Sequence, residues 1–583
     1  VRFNSLRIDM NMNADINKRL NSPFIYYIKK FKVFFSLGVL ALIITDISDV
    51  LTPLILGKLL DKFVVFKNFN ELTPLFILFA AASVTNATAR YAWRILFANF
   101  HHRTALDLKL KLFKSYFRKD LVDFNKQSTG DKMSTFNKDV EYFRMGIGPG
   151  ILILFDGIFY LTLIPIAMWN INSEWAKIIF FLIPTVPLIM AVMEKYLNTL
   201  FDRQQKYLSK ISSIAQESIE GIKVIKSFRM ERLREHVYNK ENLKLYNNSK
   251  KLEIVHSSFS PLFDFCTSIS CASLLLFIAY NDNLSTIQAG SIFAFYQYLR
   301  RMTWPLAAIG FSFMMITEGK SAFKRITKAL DYKDIDTTPV KNKENVIEVE
   351  SLDFSYPDKT LSFKDLNFNI KENTTYLVTG ATKSGKSSLI KILAGFLRPT
   401  SGRLALNEKK STYNSQDPFL FMSSLKENIL PPTEDKQGRT LNKDDFKLVS
   451  FYDELLKLEN KEDTTIGEKG ANLSGGQKQR LSLLRALKSD KDILILDEPI
   501  SAVDESTKVQ IINTLKQSSK NRTLIISTSS PEHFKWVDKI ILIKDHEESR
   551  SIKVLDIDEA NKDLDFTNLL YKKTQKSGAK DEA

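Results

Sequence analysis

The chain has 583 residues, 82 Lys and Arg against 66 Asp and Glu, a formal charge of +16, and a hydrophobic fraction of 44%. That apolar content excludes a disordered chain, and two cysteines exclude a disulfide scaffold. The basic excess suits nucleic acid, an anionic membrane surface or the cytoplasmic loops of a membrane domain. Position separates these readings: residues 1–340 hold 43 basic and 28 acidic side chains, a balance of +15, whereas residues 341–583 hold 39 and 38, a balance of +1.

In chain order, the first 22 residues are polar and of mixed charge, with no cleavable signal pattern. Lys18, Arg19, Lys29 and Lys30 around Phe24, Ile25, Tyr26 and Tyr27 make residues 1–30 either an interfacial (elbow) segment with a short helix or a solvated leader. Six long apolar stretches follow, at 31–56, 75–92, 151–169, 175–193, 259–280 and 287–316. Each nears or exceeds the ~18–20 residues that a spanning helix needs, so 31–330 is expected to be an α-helical membrane domain of six transmembrane helices. The short connections 170–174 and 281–290 contain no Lys or Arg, while 99–148 and 194–258 carry many, among them Lys109, Lys111, Lys114, Arg118, Lys119, Lys223, Lys226 and Arg229. Basic residues collect on the cytoplasmic side, so the long connections face the cytoplasm, and their helical pattern extends the spans into water. Cys266 and Cys271 lack metal-ligand spacing and read as packing residues.

The spans also hold ionisable groups. Asp46 and Asp49 share one face of the first, Arg90 and Arg94 one face of the second, and Asp156, Asp264, Arg300 and Arg301 lie in or near others. Each costs ~2.5–3.5 kcal/mol facing lipid at mid-bilayer, so the deep ones either pair with one another or line a polar cavity for an amphiphile, an anionic one where Arg94 and Arg301 lack partners.

Residues 331–345 turn polar and read as a linker; 346–560 alternate strand and helix patterns, an α/β domain; 561–583 read as a charged tail. The strand pattern 376–379 runs into Gly380-Ala381-Thr382-Lys383-Ser384-Gly385-Lys386-Ser387, and a helical pattern begins at Ser388. This is the phosphate-loop arrangement: glycines let backbone N–H groups close on phosphates, Lys386 adds a charge, Ser387 can ligate Mg²⁺, and the helix N-terminus favours an anion. The run 493–496 ends in Asp497 and Glu498, suited to holding Mg²⁺ and polarising an attacking water respectively. Between them Leu473-Ser474-Gly475-Gly476-Gln477 precedes a helical pattern from Lys478 and forms a second anion-binding turn.

Together these strings resemble an ATP-binding cassette exporter along nearly the whole chain, and the resemblance implies a type I (type IV) exporter membrane fold joined to a P-loop NTPase cassette. Leu473 to Gln477 matches the signature that reaches across a dimer to the partner's ATP. Tyr356 sits where the family stacks an aromatic on adenine. Gln416, in Gln416-Asp417-Pro418-Phe419, matches the Q-loop and adds a Mg²⁺ ligand. Ser501 to Asp504 matches the D-loop, and Thr465 to Glu468 resembles the exporters' X-loop. Gly130 to Asp139 and Gln216 to Lys226 resemble the coupling loops that dock on the cassettes. With six spans and one cassette the chain is a half-transporter that needs a second one, and strings at Phe143 to Gly150 and Trp304 to Ile326 resemble multidrug-resistance-like bacterial half-exporters, which often pair as heterodimers.

The sequence departs from that pattern at three places. The switch histidine stands nine residues before an Asp, and counting back from Asp538 puts Ser529 there, with His533 four residues on as a surface residue. A Ser hydroxyl brings no positive charge. Lys383 replaces a further glycine of the loop, which implies strain or a different turn. Only 30 residues separate Lys386 from Gln416, a spacing that, with the Ser, resembles the degenerate first cassette of the cystic fibrosis conductance regulator. The expectation is a subunit with a slow ATP site in a heterodimeric inner-membrane exporter of an amphiphile or lipid; a slow homodimer and an ATP-gated channel or regulatory subunit are the alternatives. No nucleic-acid partner is expected.

Overall fold

A computed structural model describes residues 23–66, 69–182, 185–281, 288–331, 340, 344–358, 360–406, 411–430, 440–467, 470, 472–545 and 550–567, with the side chains of 181–191 and a few others left aside. Residues 1–22, most of the linker, Glu468 of the X-loop and residues 568–583 of the expected tail lie outside this set. The chain divides into two compact units at 115/116, 128/129 and 331/332.

The first unit is all helix. Its helices are Pro23–Lys30, Lys32–Phe66, Phe69–Arg118, a run from Thr129 to Ile171 broken by π-helical turns at Thr135–Asp139 and Gly146–Gly150, Ser173–Leu182, Thr185–Glu220, Ile222–Ser227, Glu231–Ser257, Phe259–Asn281 and Ala289–Leu330. Lys32–Phe63, Leu72–Arg118 and Thr129–Ile171 are, among the described residues, long and apolar enough to cross a membrane, and Asp264–Tyr280 is apolar but shorter. The helix Phe69–Arg118 has 50 residues. At ~1.5 Å per residue it is more than twice as long as the ~30 Å hydrocarbon core is thick, so it must extend into water. Phe76, Ile77, Leu78 and Val84 on its apolar half are exposed, as lipid-facing side chains would be.

Small residues bring the helices together. A Cβ on Gly290 would lie 1.9 Å from the Gly57 carbonyl oxygen, so only glycine allows that approach. Tyr27 is buried and donates to Asp107 at 3.0 Å, and Lys30 and Lys111 pair with the same carboxylate at 2.7 and 2.9 Å. Pro23–Lys30 is therefore a helix held on its neighbour rather than a solvated stretch. Burial, first, and the nearby Asp107 push the Tyr27 phenol well up.

The second unit carries a nine-stranded sheet in the order β4-β1-β2-β9-β8-β3-β7-β6-β5. The strands are β1 Asn345–Ser355, β2 Ser362–Lys371, β3 Thr375–Gly380, β4 Ser401–Leu406, β5 Ser411–Asn414, β6 Ile493–Asp497, β7 Thr523–Ser527, β8 Lys539–Asp545 and β9 Arg550–Asp556. β8, β3, β7, β6 and β5 run parallel, and β3, β6 and β7 are buried throughout. Burial on both faces is why the run Ile493-Leu494-Ile495-Leu496 has no polar alternation: Leu494 and Leu496 enter one core, Ile493 and Ile495 the other.

Two expected boundaries move. Phe566 is 3% exposed and belongs to the first of those cores, so the folded unit continues past 560 at least to Thr567, held also by Lys553 and Lys544 on Asp563. One aromatic in a charged stretch was too weak a pattern to show this. The segment 116–128, expected within the membrane domain, belongs to the second unit: Asp120 caps the short helix Leu121–Asn125, the Leu121 N–H donates to the Phe396 carbonyl at 3.0 Å, and Leu121 and Val122 pack on the core. Gly130 to Asp139, expected to dock there, lies in the helical unit, where Arg325 makes two bonds of 3.0 and 2.7 Å to Asp139. The family resemblance pointed to 130–139, but the segment that packs on the core of the second unit is the one with the apolar Leu121-Val122 pair.

Candidate functional site

Parallel strands place their C-terminal ends on one edge of the sheet, where crevices of α/β folds collect ligands. β3 ends at Gly380, β5 at Asn414, β6 at Asp497 and β7 at Ser527, with Asn414 beside Leu496, Asp497 beside Ser527 and Val378 beside Ser527. The phosphate loop, Gln416, the acid pair and Ser529 therefore share that edge.

The loop 380–385 leads into the helix Lys386–Leu393, which begins two residues before the expected Ser388. Gly385 has φ +102°, and its Cβ would meet Leu361 and Phe363 at 2.9 Å, so only glycine fits. Lys383 has φ +66°, the left-handed region that costs a residue with a Cβ ~1–2 kcal/mol. The strain expected of a lysine there is thus present. Ala381, Thr382 and Lys383 are exposed along the loop. The Lys386 amine donates to the Gly380 and Ala381 carbonyls, each at 3.1 Å, while the Ser384 Oγ is buried and pairs with no group among the described residues. Tyr356 reaches the helix start, its hydroxyl 3.3 Å from the Ser388 Oγ.

Around Asp497, Ser387 donates to Oδ1 at 3.1 Å, Ser527 to the same oxygen at 2.5 Å, and Tyr413 to Oδ2 at 3.4 Å. Burial, aided by this carboxylate, pushes the Tyr413 phenol up. A hydroxyl and a carboxylate so close form the hard-oxygen donor set that suits Mg²⁺, so these residues fit the ion. Gln416 is exposed just beyond β5. Glu498 has φ +48°, its N–H donates to the Ser527 carbonyl at 3.1 Å, and its Oε1 accepts a 2.6 Å bond from the Ser529 hydroxyl. His533 instead lies in a one-turn helix, 3.9 Å from Glu505 and from Glu532.

Ser474 caps the helix Gly475–Leu487, which starts three residues before the expected Lys478: its Oγ accepts from the Gln477 N–H at 3.3 Å and the Gln477 side chain accepts from the Ser474 N–H at 2.8 Å. Gly475 stands open, whereas a Cβ on Gly476 would lie 2.6 Å from the Ala502 carbonyl. One turn on, Gln479 donates to the Glu498 carbonyl at 2.6 Å and to Ser501 at 3.0 Å and accepts from the Ala502 N–H at 2.9 Å. It ties the signature helix to the acid turn. Asp504 caps the helix Glu505–Ser518, and bonds from Ser506 and Thr507 hold its carboxyl well below the usual range. Sequence reading missed Tyr413, Ser527 and Gln479. Strand register and a helical step place them, and only the parallel alignment of 411–414 with 493–496 could have pointed to Tyr413.

In the helical unit several of the expected charges gather beside Pro53. Pro53 inside the helix Lys32–Phe66 removes the N–H that would serve the Asp49 carbonyl. Arg301 donates to that oxygen instead, and Tyr298 to the Val50 carbonyl. The Asp49 carboxylate takes Arg90 at 2.5 Å, Tyr160 at 2.7 Å and Arg301 at 3.4 Å. Mutual pairing, one of the two alternatives for these charges, thus accounts for Asp49, Arg90 and Arg301. Arg94 is exposed, its guanidinium 5.6 Å from the Trp93 ring, and stands apart from this cluster. Asp46 is buried.

Two family models match the chain: the ABC transporter transmembrane region over residues 35–306 and the ABC transporter domain over 363–501. The chain is 27% identical over 538 residues to the multidrug resistance-like ATP-binding protein MdlA of Buchnera aphidicola subsp. Baizongia pistaciae, covering 86% of this chain and 90% of the relative. It is 27% identical over 535 residues to MdlA of Escherichia coli K12, covering 87% and 89%. A probable multidrug resistance ABC transporter ATP-binding/permease protein of Bacillus subtilis, YheI, is 26% identical over 544 residues, covering 89% and 92%.

Proposed function

The chain belongs to the ATP-binding cassette transporters, as a multi-pass membrane half-transporter of the multidrug-resistance-like exporter type, and on that premise we propose that it is the slow-site subunit of a heterodimer that exports an amphiphilic small molecule or lipid. The observation that carries the reading is the 2.6 Å bond from Ser529 to Glu498 at the position of the switch histidine.

The phosphate loop, Lys386 and the N-terminus of Lys386–Leu393 bind the phosphates of ATP, Tyr356 faces its base, and Ser387, Gln416 and Asp497 would hold Mg²⁺. When bound, Mg²⁺ neutralises charge that develops on the phosphoryl oxygens. Glu498 orients the attacking water, and Ser529 orients Glu498. The hydroxyl brings no cation to the γ-phosphate, however, and losing one transition-state contact costs on the order of 10²-fold in rate. Ser474 to Gln477, capped and facing outward, would complete the ATP site of the other subunit, with Asp504 beside that junction. Nucleotide-driven closure of the cassettes then opens the six spans outward, in the cell membrane with the cassette in the cytoplasm. An intact Glu498 keeps a slow homodimer as the second reading.

The test is ATP turnover by the purified chain, alone and with the half-transporter that co-purifies from native membranes in mild detergent. Expected are little turnover alone, brisk turnover with the partner, and at least a tenfold gain at the chain's own site in Ser529→His. Brisk turnover without a partner, or no gain from that substitution in either assembly, removes the slow-site reading.

A further inference from the structure

β6 and β7 lie side by side in parallel register, Ile495 opposite Ile525 and Asp497 opposite Ser527. Side chains two apart on a strand share a face, so Asp497 and Ser527 continue the row in which Ile493, Ile495 and Ile525 enter one core. A serine at 0% exposure thus sits beside a carboxylate at 1%. We propose that Ser527 is a positioning residue for Mg²⁺, an inference that rests on the Mg²⁺ site proposed above: its hydroxyl holds the Asp497 carboxylate against Ser387, the pairing in which the two would take the ion.

The proton and a lone pair of this hydroxyl are both committed. An ionised carboxylate only accepts and a backbone N–H only donates. The Ser527 Oγ lies 2.5 Å from the Asp497 Oδ1 and 3.2 Å from the Glu498 nitrogen, so its proton goes to the aspartate and a lone pair takes the amide. The same N–H also reaches the Ser527 carbonyl at 3.1 Å. Ser527 therefore grips the left-handed turn at Glu498 with backbone and side chain, and that turn fixes the direction of the hydroxyl. The carboxylate needs such a hold, because the last torsion of an aspartate is broad and does not set the plane of the group by itself. Tyr413, at 3.4 Å from Oδ2, makes a long bond, and Ser387, at 3.1 Å from Oδ1, belongs to the same Mg²⁺ site and is no separate anchor. A bond of 2.5 Å falls in the range of O–H···O⁻ bonds, which makes Ser527 the firmest of the three. Losing such a partner to a ligating carboxylate costs roughly 10–100-fold in metal affinity.

The test is equilibrium binding of trace labelled ATP to the full-length protein in detergent, first in EDTA and then as Mg²⁺ is titrated in. Expected in the wild type is a gain in affinity with Mg²⁺ that Asp497→Asn removes. Ser527→Ala should leave the affinity in EDTA within about twofold of wild type and raise the Mg²⁺ concentration that gives half the gain by about tenfold or more. Ser527→Cys keeps the size of the side chain with only a weak donor, so it should shift the same way, and it decides should Ser527→Ala fail to fold. A Mg²⁺ response lost in Asp497→Asn but kept in the serine variants overturns the positioning role alone. An equal fall of affinity in EDTA and in Mg²⁺ does the same, since that is the mark of a merely structural serine. A Mg²⁺ response absent from the wild type, or surviving Asp497→Asn, removes the Mg²⁺ site itself and the positioning role with it.

Discussion

At the scale of the residue, the strings that bind phosphate were legible because their chemistry is local: backbone N–H groups, a lysine and a hydroxyl within eight consecutive positions, 380–387. Lys383 shows the same locality, since strain or a different turn was implied by the residue's place alone, and the backbone there is left-handed at φ +66°. Tyr413 and Ser527 were not legible, because they meet Asp497 only through strand register. Asp504 supports a prediction at this scale. Bonds from Ser506 and Thr507 favour its ionised form and hold its carboxyl below the ordinary value. A depressed carboxyl contributes stability that is fully present above its unfolded value and is lost as pH falls through the native one. Asp504→Ala should therefore lower the thermal midpoint of the full-length protein in detergent at neutral pH, and the gap from wild type should narrow in strongly acidic buffer. A gap that widens with acid would mean that the cap acts through something other than the ionised carboxylate.

At the scale of the element, helices and strands announced themselves by apolar period, but what each one packs against did not. Leu121 and Val122 carry the short helix onto the core of the second unit, where burial of two adjacent apolar side chains favours it, while the segment 130–139 stays among helices. The helix Lys32–Phe66 makes a related point. Its proline was visible, but not that Arg301 would answer the carbonyl that the proline frees. A double-mutant cycle tests this link. Arg301→Ala leaves the Asp49 carbonyl without a donor and should cost ~1–3 kcal/mol, whereas Pro53→Ala restores a backbone N–H in the turn above. The double variant should lose less than the sum of the two single losses, read from denaturation of the detergent-solubilised protein. Strict additivity would mean that Arg301 acts only through the Asp49 carboxylate.

At the scale of the whole molecule, the excess of +16 resolves into a statement about orientation, because +15 of it lies in residues 1–340. The helix Phe69–Arg118, far longer than the hydrocarbon core is thick, holds seven Lys and Arg against two Asp and Glu, a third of that excess. The opposite turns are short: Asn172 alone separates the helices ending at Ile171 and starting at Ser173, and no basic residue lies in 170–174. Positive charge near span ends is retained in the cytoplasm, so the two kinds of turn should lie on opposite sides of the membrane. With Cys266 and Cys271 replaced by Ala, Asn172→Cys should react with a membrane-impermeant maleimide in intact cells, and Glu235→Cys only after permeabilisation. Glu235 suits this purpose because it is exposed on the helix Glu231–Ser257, beyond the span ends. Labelling of both sites from outside would remove the single-sided reading of the charge, and the reverse pattern would place the cassette outside the cell, where ATP is scarce and an exporter of this kind could not be driven.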